Sequence, residues 1–304
     1  MKKDYFESLD KTKIYYEFDF EGKTSKPIVT FIHGQSGGSL NMLKSQIEYL
    51  GKKYSTLAFD LRGGGFSDLA DNKKDFFSLE KLSDDLIGLL EHEKIDKTHL
   101  VGYSLGSAIA LKTFEKKPKA IESLVLLNPT YNPLKTTSSL NKFIVKTGIS
   151  SFFEYSISYT TMFVNTLRGV KEKTHFDYTS KKQGRVAGYI DFNFLKTKTP
   201  EELKSRLKLI KQRLKWDVED VLDKINIPLL CIGASEDIWT LPSAAIEIAS
   251  RANGRYKIIV GNTHESVYAN PEEINKEIIE FIDSIEERIM KLESEKNQNI
   301  EKLL

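Results

Sequence analysis

Short apolar runs recur along the chain and alternate with stretches in which apolar residues follow a helical period. The runs that suit strands buried on both faces are residues 28–32, 55–59, 99–101, 124–127, 229–232 and 257–260. The clearest helical pattern follows Ser78, a candidate N-cap, and has leucines on one face at 79, 82, 86, 89 and 90. This alternation predicts an α/β fold with a mostly parallel sheet and helices on both of its faces.

The start of the chain differs from this pattern. Apolar and aromatic side chains alternate with polar ones before and after Asp10 and Lys11. The positions concerned are Tyr5, Phe6, Leu9, Ile14, Tyr16, Phe18 and Phe20. Alternation on both sides of a short polar turn predicts an antiparallel hairpin.

The strand spacing is interrupted between about residues 131 and 215, where no buried parallel strand is evident. We predict one domain, with a core of about 1–130 and 216–304 and an inserted helical cap over 131–215. Within the cap, 151–168 is rich in large apolar and aromatic groups, among them Phe152 and Phe153. These groups would pack a small core of their own or line an apolar substrate pocket, and a cap can do both.

Charge and composition narrow the function classes. The chain has 45 Lys and Arg against 43 Asp and Glu, so it has no global field to hold nucleic acid or an anionic membrane. No apolar stretch approaches the roughly 18 residues that a membrane-spanning helix needs, and no secretory signal is evident, which predicts a cytoplasmic protein. The single cysteine, Cys231, lies in an apolar run and is predicted to fill the core. The polar, helix-like end of the chain, about 285–304, is predicted to be solvated or frayed.

The most informative segment is 102–106, Gly-Tyr-Ser-Leu-Gly, which follows a predicted strand and precedes a small-residue helical pattern. A serine at a sharp strand-to-helix turn has a strained backbone, and glycines two positions before and after it remove side chains that would clash. The hydroxyl of Ser104 would then project from the carboxyl edge of the sheet, where the N-terminus of the next helix can stabilise an oxyanion. Ser104 is therefore the candidate nucleophile.

A serine hydroxyl needs a base to take its proton. Of the 5 histidines, His264 stands apart because it follows the last predicted strand after a Gly-Asn-Thr turn, at the same edge as Ser104. In this class of catalytic triad, which consists of a serine, an acid and a histidine, the acid lies between the other two in the chain. Asp237 follows a predicted strand in that interval. Its carboxylate can orient the imidazole and stabilise the imidazolium. Glu236 is the neighbouring competitor, and the loop after the strand ending at 127 offers Asn128 instead of an acid.

An acyl-transfer site also needs donors for the oxyanion. Residues 33–38, His-Gly-Gln-Ser-Gly-Gly, follow a predicted strand, and their glycines let backbone amides approach a ligand closely. We predict that the backbone N–H groups of Gln35 and Leu105 form the oxyanion hole. The residues predicted to contact the substrate are His33, Gly34, Tyr103, Phe152, Phe153 and Trp239.

Three short motifs resemble other kinds of site and fail on particular residues. Residues 22–24, Gly-Lys-Thr, resemble the end of a P-loop, but Glu17 stands where its first glycine should be. His264 and the glutamate after it resemble a zinc motif, but Tyr268 stands where the second histidine must be. The glycines at 63–65 do not have the spacing of a dinucleotide-binding turn. We therefore expect no metal and no dinucleotide.

The serine turn, the His-Gly turn and the ordered acid and histidine together resemble the α/β-hydrolase superfamily, and within it the serine esterase and lipase-like branch with a cap. Segment 60–67, Asp-Leu-Arg-Gly-Gly-Gly-Phe-Ser, is similar to the D-x-R-G-x-G-x-S loop that follows the fourth strand in this family. The resemblance implies an eight-stranded sheet, a cap inserted after the sixth strand and no cofactor. Relatives that open epoxides or remove halides carry Asp where this chain has Ser104, which argues against those two activities.

These observations predict hydrolysis of a small-molecule carboxylic ester through an acyl-enzyme, with Ser104, Asp237 and His264 as the triad. The same triad would serve a thioester, a lactone or a carbon–carbon bond next to a ketone, and the sequence does not separate these. An alternative from another class is a ligand receptor that keeps the fold while catalysis is slow or absent.

Overall fold

The computed structural model describes residues 1–20, 26–35, 39–70, 75–139, 160–161, 163–169, 171 and 198–301. Its strands are β1 (Lys2–Glu7), β2 (Lys13–Asp19), β3 (Ile28–Ile32), β4 (Ser55–Phe59), β5 (Thr98–Tyr103), β6 (Ile121–Leu127), β7 (Leu229–Ala234) and β8 (Arg255–Ile259). They form one sheet of 8 strands in the order β1-β2-β4-β3-β5-β6-β7-β8. The predicted α/β sheet is confirmed.

The sheet is mostly parallel. Strands β1 and β2 pair antiparallel, which confirms the predicted hairpin, and β2 is also antiparallel to β4. All the other neighbouring strands are parallel. The carboxyl ends of β3 to β8 therefore meet at one edge, and so do the loops that follow them.

The outer strand β8 differs from its prediction. The sequence pattern indicates a strand over 257–260 that is buried on both faces, but β8 runs from Arg255 to Ile259 and its first two residues are exposed. Val260 lies beyond the strand and is 82% exposed. The prediction of a fully buried strand is wrong here because β8 forms the edge of the sheet, and an apolar run does not reveal which strand is outermost.

Helices cover both faces of the sheet. They are α1 (Lys44–Leu50), α2 (Leu79–His92), α3 (Leu105–Lys116), α4 (Pro200–Arg213), α5 (Pro242–Arg251), α6 (Ser266–Ala269) and α7 (Pro271–Glu301). Short 3₁₀ turns occupy Leu40–Leu43, Pro118–Ala120 and Glu219–Lys224. Helices α2, α3 and α5 contribute to one apolar cluster, and α1 and α7 contribute to a second cluster on the opposite face. Ser78 is confirmed as the N-cap of α2, because its hydroxyl accepts the backbone N–H of Lys81 at 3.3 Å.

The predicted cap is described in part, and α4 is its longest described element. Thr199 caps the N-terminus of α4, and Ser205 Oγ donates to the carbonyl oxygen of Gly63 at 2.7 Å, which ties the helix to the loop after β4. Phe152 and Phe153 lie outside the described residues. The division of the chain into core and cap stays a prediction.

The C-terminal helix α7 begins at Pro271, and its side chains at 290–298 are exposed. Of the two alternatives predicted for this end of the chain, the solvated one agrees with the exposed helix at 290–298. Cys231 is buried in β7, as predicted, and burial raises the pKa of its thiol. None of the helices in the described ranges combines the length and the apolar character that a bilayer crossing requires.

Candidate active site

Ser104 occupies the turn between β5 and α3. Its φ of 53° and ψ of −114° lie in a region that residues with a side chain rarely adopt. The neighbouring glycines leave room for this turn: a Cβ on Gly106 would lie 2.2 Å from the carbonyl oxygen of Ile32, and one on Gly102 would lie 2.6 Å from that of Gly106. The strained strand-to-helix turn predicted from the sequence is present, and Ser104 is partly exposed at its tip.

Hydrogen bonds hold this turn against the end of β6 and the loop that follows it. The backbone N–H of Ser104 donates to the carbonyl oxygen of Leu127 at 2.8 Å. The hydroxyl of Ser107 donates to the carbonyl oxygen of Ser104 and accepts the backbone N–H of Thr130 at 2.8 Å. The surrounding loops thus stabilise a backbone conformation that would be unfavourable alone.

The imidazole of His264 reaches Ser104 from the loop after β8. Its Nε2 lies 2.9 Å from Ser104 Oγ, and its Nδ1 lies 2.7 Å from Asp237 Oδ2. With the proton on Nδ1 donated to the carboxylate, Nε2 presents a lone pair to the serine hydroxyl. The fold therefore brings together three side chains, two of which, Ser104 and His264, are 160 residues apart in the chain.

Asp237 is held by several donors in the loop after β7. Its Oδ1 accepts the backbone N–H groups of Trp239 at 2.8 Å and Thr240 at 3.0 Å. Thr240 Oγ1 lies 2.8 Å from Oδ2, the oxygen that also faces His264. Asp237 is 2% exposed, whereas the alternative acid Glu236 is exposed. These bonds fix the carboxylate in the orientation that meets the imidazole.

Burial and charge act in opposite directions on the pKa of His264. Burial of the ring lowers the pKa, because it disfavours the cation. The Asp237 carboxylate, through its charge and its hydrogen bond, outweighs burial and raises the pKa of His264 above its ordinary value. Glu265 adds to this effect, and the positive charge of Arg213 on α4 opposes it. The ring is therefore suited to accept a proton and to hold it beside the carboxylate.

Tyr103 and Asn128 hold the backbone of His264, a role that the sequence did not predict for either of them. The hydroxyl of Tyr103 donates to the His264 carbonyl oxygen at 2.8 Å, and Nδ2 of Asn128 donates to the same oxygen at 2.7 Å. Tyr103 also lies against the imidazole, with ring centroids 5.3 Å apart. Because Tyr103 is 1% exposed, it has almost no surface for the predicted substrate contact and supports His264 instead. The available sequence signal for Asn128 is its position directly after a buried strand, where it adopts a φ of 42°.

The loop after β3 is braced by His33. Its Nδ1 lies 2.6 Å from the carbonyl oxygen of Gly34, and its Nε2 accepts the backbone N–H of Leu61 at 3.0 Å. Both ring nitrogens of His33 are therefore bonded within the protein. The side chain positions the loop, and only its carbon atoms remain to contact a substrate.

The backbone of this loop passes very close to Ser104. A Cβ on Gly34 would lie 3.2 Å from Ser104 Cβ and 2.9 Å from Tyr103 Cδ1, so glycine permits the approach. Gln35 follows Gly34 directly, and Leu105 is the first residue of α3, where backbone N–H groups lack helical acceptors. The oxyanion role of these two N–H groups stays a prediction.

A pocket of about 460 Å³, including its open mouth, adjoins this loop beneath α4. The lining residues that bear on function are Gly34, Gln35, Leu61, Leu203, Arg206 and Leu209. Of the other predicted substrate contacts, Trp239 is partly exposed beside the acid, and Phe152 and Phe153 lie outside the described residues. These contacts stay predictions.

The segment that resembles the D-x-R-G-x-G-x-S loop has a structural role. Arg62 binds both carboxylate oxygens of Asp85, at 2.7 and 2.6 Å, and Asp10 Oδ2 at 2.9 Å. Asp60 accepts the backbone N–H groups of Leu40 at 2.7 Å and of the residue at 66 at 2.8 Å. These contacts fix the loop after β4 against its neighbours.

The sheet of 8 strands and the serine turn agree with what the resemblance to this superfamily implies. Residues 27–271 match the family described as alpha/beta hydrolase fold, so the chain belongs to this family. The resemblance is thereby confirmed, and the chain is a hydrolase of the α/β fold in this general sense.

Individual proteins show the same relationship. A Mycoplasma genitalium protein with the provisional name esterase/lipase 2 is 23% identical over 277 residues, which cover 89% of this chain and 94% of that protein. The dihydrolipoyllysine-residue acetyltransferase component of an acetoin cleaving system from Pseudomonas putida is 34% identical over 110 residues, which cover 36% of this chain and 28% of that protein. The crystal structure of the enol-lactonase from Burkholderia xenovorans LB400 has a TM-score of 0.70 at 19% identity and covers 92% of this chain and 100% of that one. At this identity, the structural likeness shows the fold alone.

Proposed function

We propose that the protein is a serine hydrolase that cleaves small carboxylic esters through an acyl-enzyme. The observation that carries the proposal is the hydrogen-bonded chain from Asp237 through His264 to Ser104, with distances of 2.7 and 2.9 Å. The name of the Mycoplasma genitalium relative, esterase/lipase 2, agrees with it. The enol-lactonase that shares the fold would act on a cyclic ester, which the same chemistry would open.

In the first half-reaction, Ser104 Oγ attacks the carbonyl carbon of the ester while His264 Nε2 takes the hydroxyl proton. The imidazolium that results lies against the Asp237 carboxylate, which stabilises its charge. The tetrahedral intermediate then collapses, and His264 returns the proton to the departing alkoxide. The products are a free alcohol and an acyl group bound to Ser104.

The carbonyl oxygen becomes negatively charged in the tetrahedral intermediate. The backbone N–H groups of Gln35 and Leu105 are the donors that we assign to this oxygen, because one follows Gly34 beside Ser104 and the other begins α3. Backbone donors of this kind are preorganised, and each contributes roughly 3 to 4 kcal/mol to transition-state stabilisation. The positive end of the α3 dipole adds to the same effect.

The second half-reaction releases the acid. Water replaces the alcohol beside His264, and the imidazole takes one of its protons as the oxygen attacks the acyl carbon. Collapse of the second intermediate breaks the bond to Ser104, whose oxygen recovers its proton from His264. The triad is then restored without any net change in its protonation.

The test is hydrolysis of 4-nitrophenyl butyrate by the wild-type protein and by Ser104→Ala. We expect the variant to keep its fold and to lose at least about 10⁴-fold in kcat, since no acyl-enzyme can form. Ser284→Ala is the matched control, because it removes a serine hydroxyl on α7 that donates to a backbone carbonyl oxygen of the same helix. Undiminished turnover by Ser104→Ala would refute the proposal.

A fluorophosphonate probe separates this proposal from a ligand receptor of the same fold. The probe phosphonylates a serine that an adjacent base activates, so wild type should be labelled once and Ser104→Ala should not be labelled. A wild-type protein that binds small esters but resists the probe would instead favour the receptor.

A further inference from the structure

Arg206 on α4 lines the pocket that adjoins the loop after β3. Its side chain is partly buried, and its Nε is buried without a hydrogen-bond partner among the residues that the structure describes. A buried donor that lacks a partner is unfavourable, and more so when it carries charge. Such a group is stabilised when a bound ligand supplies the missing acceptor.

The acid nearest to Arg206 along the helix is already bonded elsewhere. Glu202 lies one helical turn earlier, at the spacing that normally favours an ion pair with arginine. Its Oε1 accepts a hydrogen bond from Lys198 Nζ at 3.1 Å, and its Oε2 accepts the backbone N–H of Thr199 at 2.9 Å. Within the described ranges, no carboxylate pairs with Arg206.

The rest of the lining defines the kind of group that the pocket accepts. Leu61, Leu203 and Leu209 supply apolar walls. Lys198 and Glu202 also line the pocket, and because they form an ion pair at 3.1 Å they add no net charge to it. Gln35 supplies a further polar side chain, whose Oε1 is buried without a partner in the described part of the chain. Rotation of this amide would present its NH₂ instead. An apolar chain that ends in a carboxylate matches this combination of walls and donors.

The sheet order indicates which part of an ester enters the pocket. Its walls come from the loops after β3 and β4 and from α4, whereas Asp237 and His264 follow β7 and β8, on the other side of β5. The leaving alcohol must lie near His264 to receive its proton. The acyl group therefore extends to the opposite side, toward Arg206.

We infer that Arg206 determines specificity by binding a carboxylate on the acyl group, so that the preferred substrates are half-esters of short dicarboxylic acids. A guanidinium can hold a carboxylate through two parallel hydrogen bonds, which gives both affinity and orientation. This inference rests on the proposed ester hydrolysis and adds the substrate class.

The experiment compares mono-4-nitrophenyl adipate with 4-nitrophenyl hexanoate, two esters with six-carbon acyl groups, after subtraction of spontaneous hydrolysis. We expect wild type to favour the adipate in kcat/KM by about 10- to 100-fold, and Arg206→Gln to lose most of that ratio. Lys204→Gln is the matched control, since it removes one positive charge from an exposed position of the same helix and should keep the ratio. Equal kcat/KM values in wild type, or a preference that survives in Arg206→Gln, would overturn the inference.

A binding measurement separates failure of this inference from failure of the proposed function. Isothermal titration calorimetry measures the affinity for adipate of two proteins, the Ser104→Ala variant and the variant that carries both Ser104→Ala and Arg206→Gln. This measurement does not depend on turnover. We expect the second substitution to weaken adipate binding by about 10-fold or more. If neither ester is hydrolysed, the proposed function fails, and Arg206-dependent adipate binding would still support the carboxylate site. Binding that is the same in both variants would overturn it.

Discussion

Replacement of Asp237 by asparagine changes one charge at the centre of the proposed site. The substitution keeps the size of the side chain but removes a carboxylate oxygen 2.7 Å from His264 Nδ1. In the transition state, His264 is positively charged, and unit charges about 4 Å apart at an effective dielectric constant of about 20 interact by about 4 kcal/mol, or about 10³-fold in rate. An amide also stabilises the wrong tautomer of the imidazole, so we expect a total loss of about 10⁴-fold in kcat.

The assay is kcat for 4-nitrophenyl butyrate, with circular dichroism to establish that the variant is folded. Glu236→Gln is the matched control, because it removes a carboxylate from the adjacent, exposed position. We expect it to change kcat by no more than about twofold, since an exposed charge is screened by solvent. If Asp237→Asn kept more than about a tenth of wild-type kcat, or if Glu236→Gln lost as much, the assignment of the acid would be refuted.

The pH dependence provides an independent measure of the same contact. The imidazolium cannot accept a proton, so kcat/KM falls as the pH drops through the pKa of His264. Because Asp237 raises that pKa, the acid limb of wild type should lie above the ordinary range for histidine. Asp237→Asn removes the largest influence that raises the pKa, whereas burial and Arg213 still lower it and only Glu265 still raises it, so the limb should move to lower pH. An acid limb that does not move would contradict this account.

Two further substitutions test the supports around the site. Arg62→Ala leaves the buried carboxylate of Asp85 without its bidentate partner, so we expect the free energy of unfolding, measured in urea, to fall by about 3 to 5 kcal/mol; an unchanged midpoint would contradict a structural role. Tyr103→Phe removes one of the two hydrogen bonds described to the carbonyl oxygen of His264, so we expect the free energy of unfolding to fall by about 0.5 to 1.5 kcal/mol. Because the imidazole is then held less firmly, kcat should fall several-fold with little change in KM. A kcat equal to that of wild type would show that Asn128 holds the loop alone.

Local sequence was sufficient to predict the parts of the molecule that short segments encode. The Gly-Tyr-Ser-Leu-Gly segment predicted the strained turn, because the glycines two positions before and after Ser104 remove side chains that would clash there. The order of short apolar runs predicted the parallel sheet, and a parallel sheet places the ends of β5, β7 and β8 at one edge. For that reason, Asp237 and His264 could be proposed as partners of Ser104 before any distance was known. Their catalytic roles are still to be tested by the variants above.

Contacts between distant segments could not be predicted in the same way. The apolar run in β8 did not reveal that this strand is the exposed edge. The support of His264 by Tyr103 and Asn128, and the brace that His33 forms with Leu61, depend on which side chains meet across loops. A sequence pattern records how each residue suits its own element, whereas these bonds arise only when separate elements pack at fixed distances.

Arg206 reaches its place beside the pocket for the same reason. Along the sequence, it is one of many basic residues, with an acid one helical turn away that would ordinarily neutralise it. That acid is bonded locally instead, by Lys198 four residues earlier and by the capping box with Thr199. The packing of α4 against the loops that follow β3 and β4 then places Arg206 beside the pocket. Periodicity and motif spacing thus specify the sheet and the serine turn. The charge that a substrate meets depends on packing, because burial and pairing are properties of the folded chain.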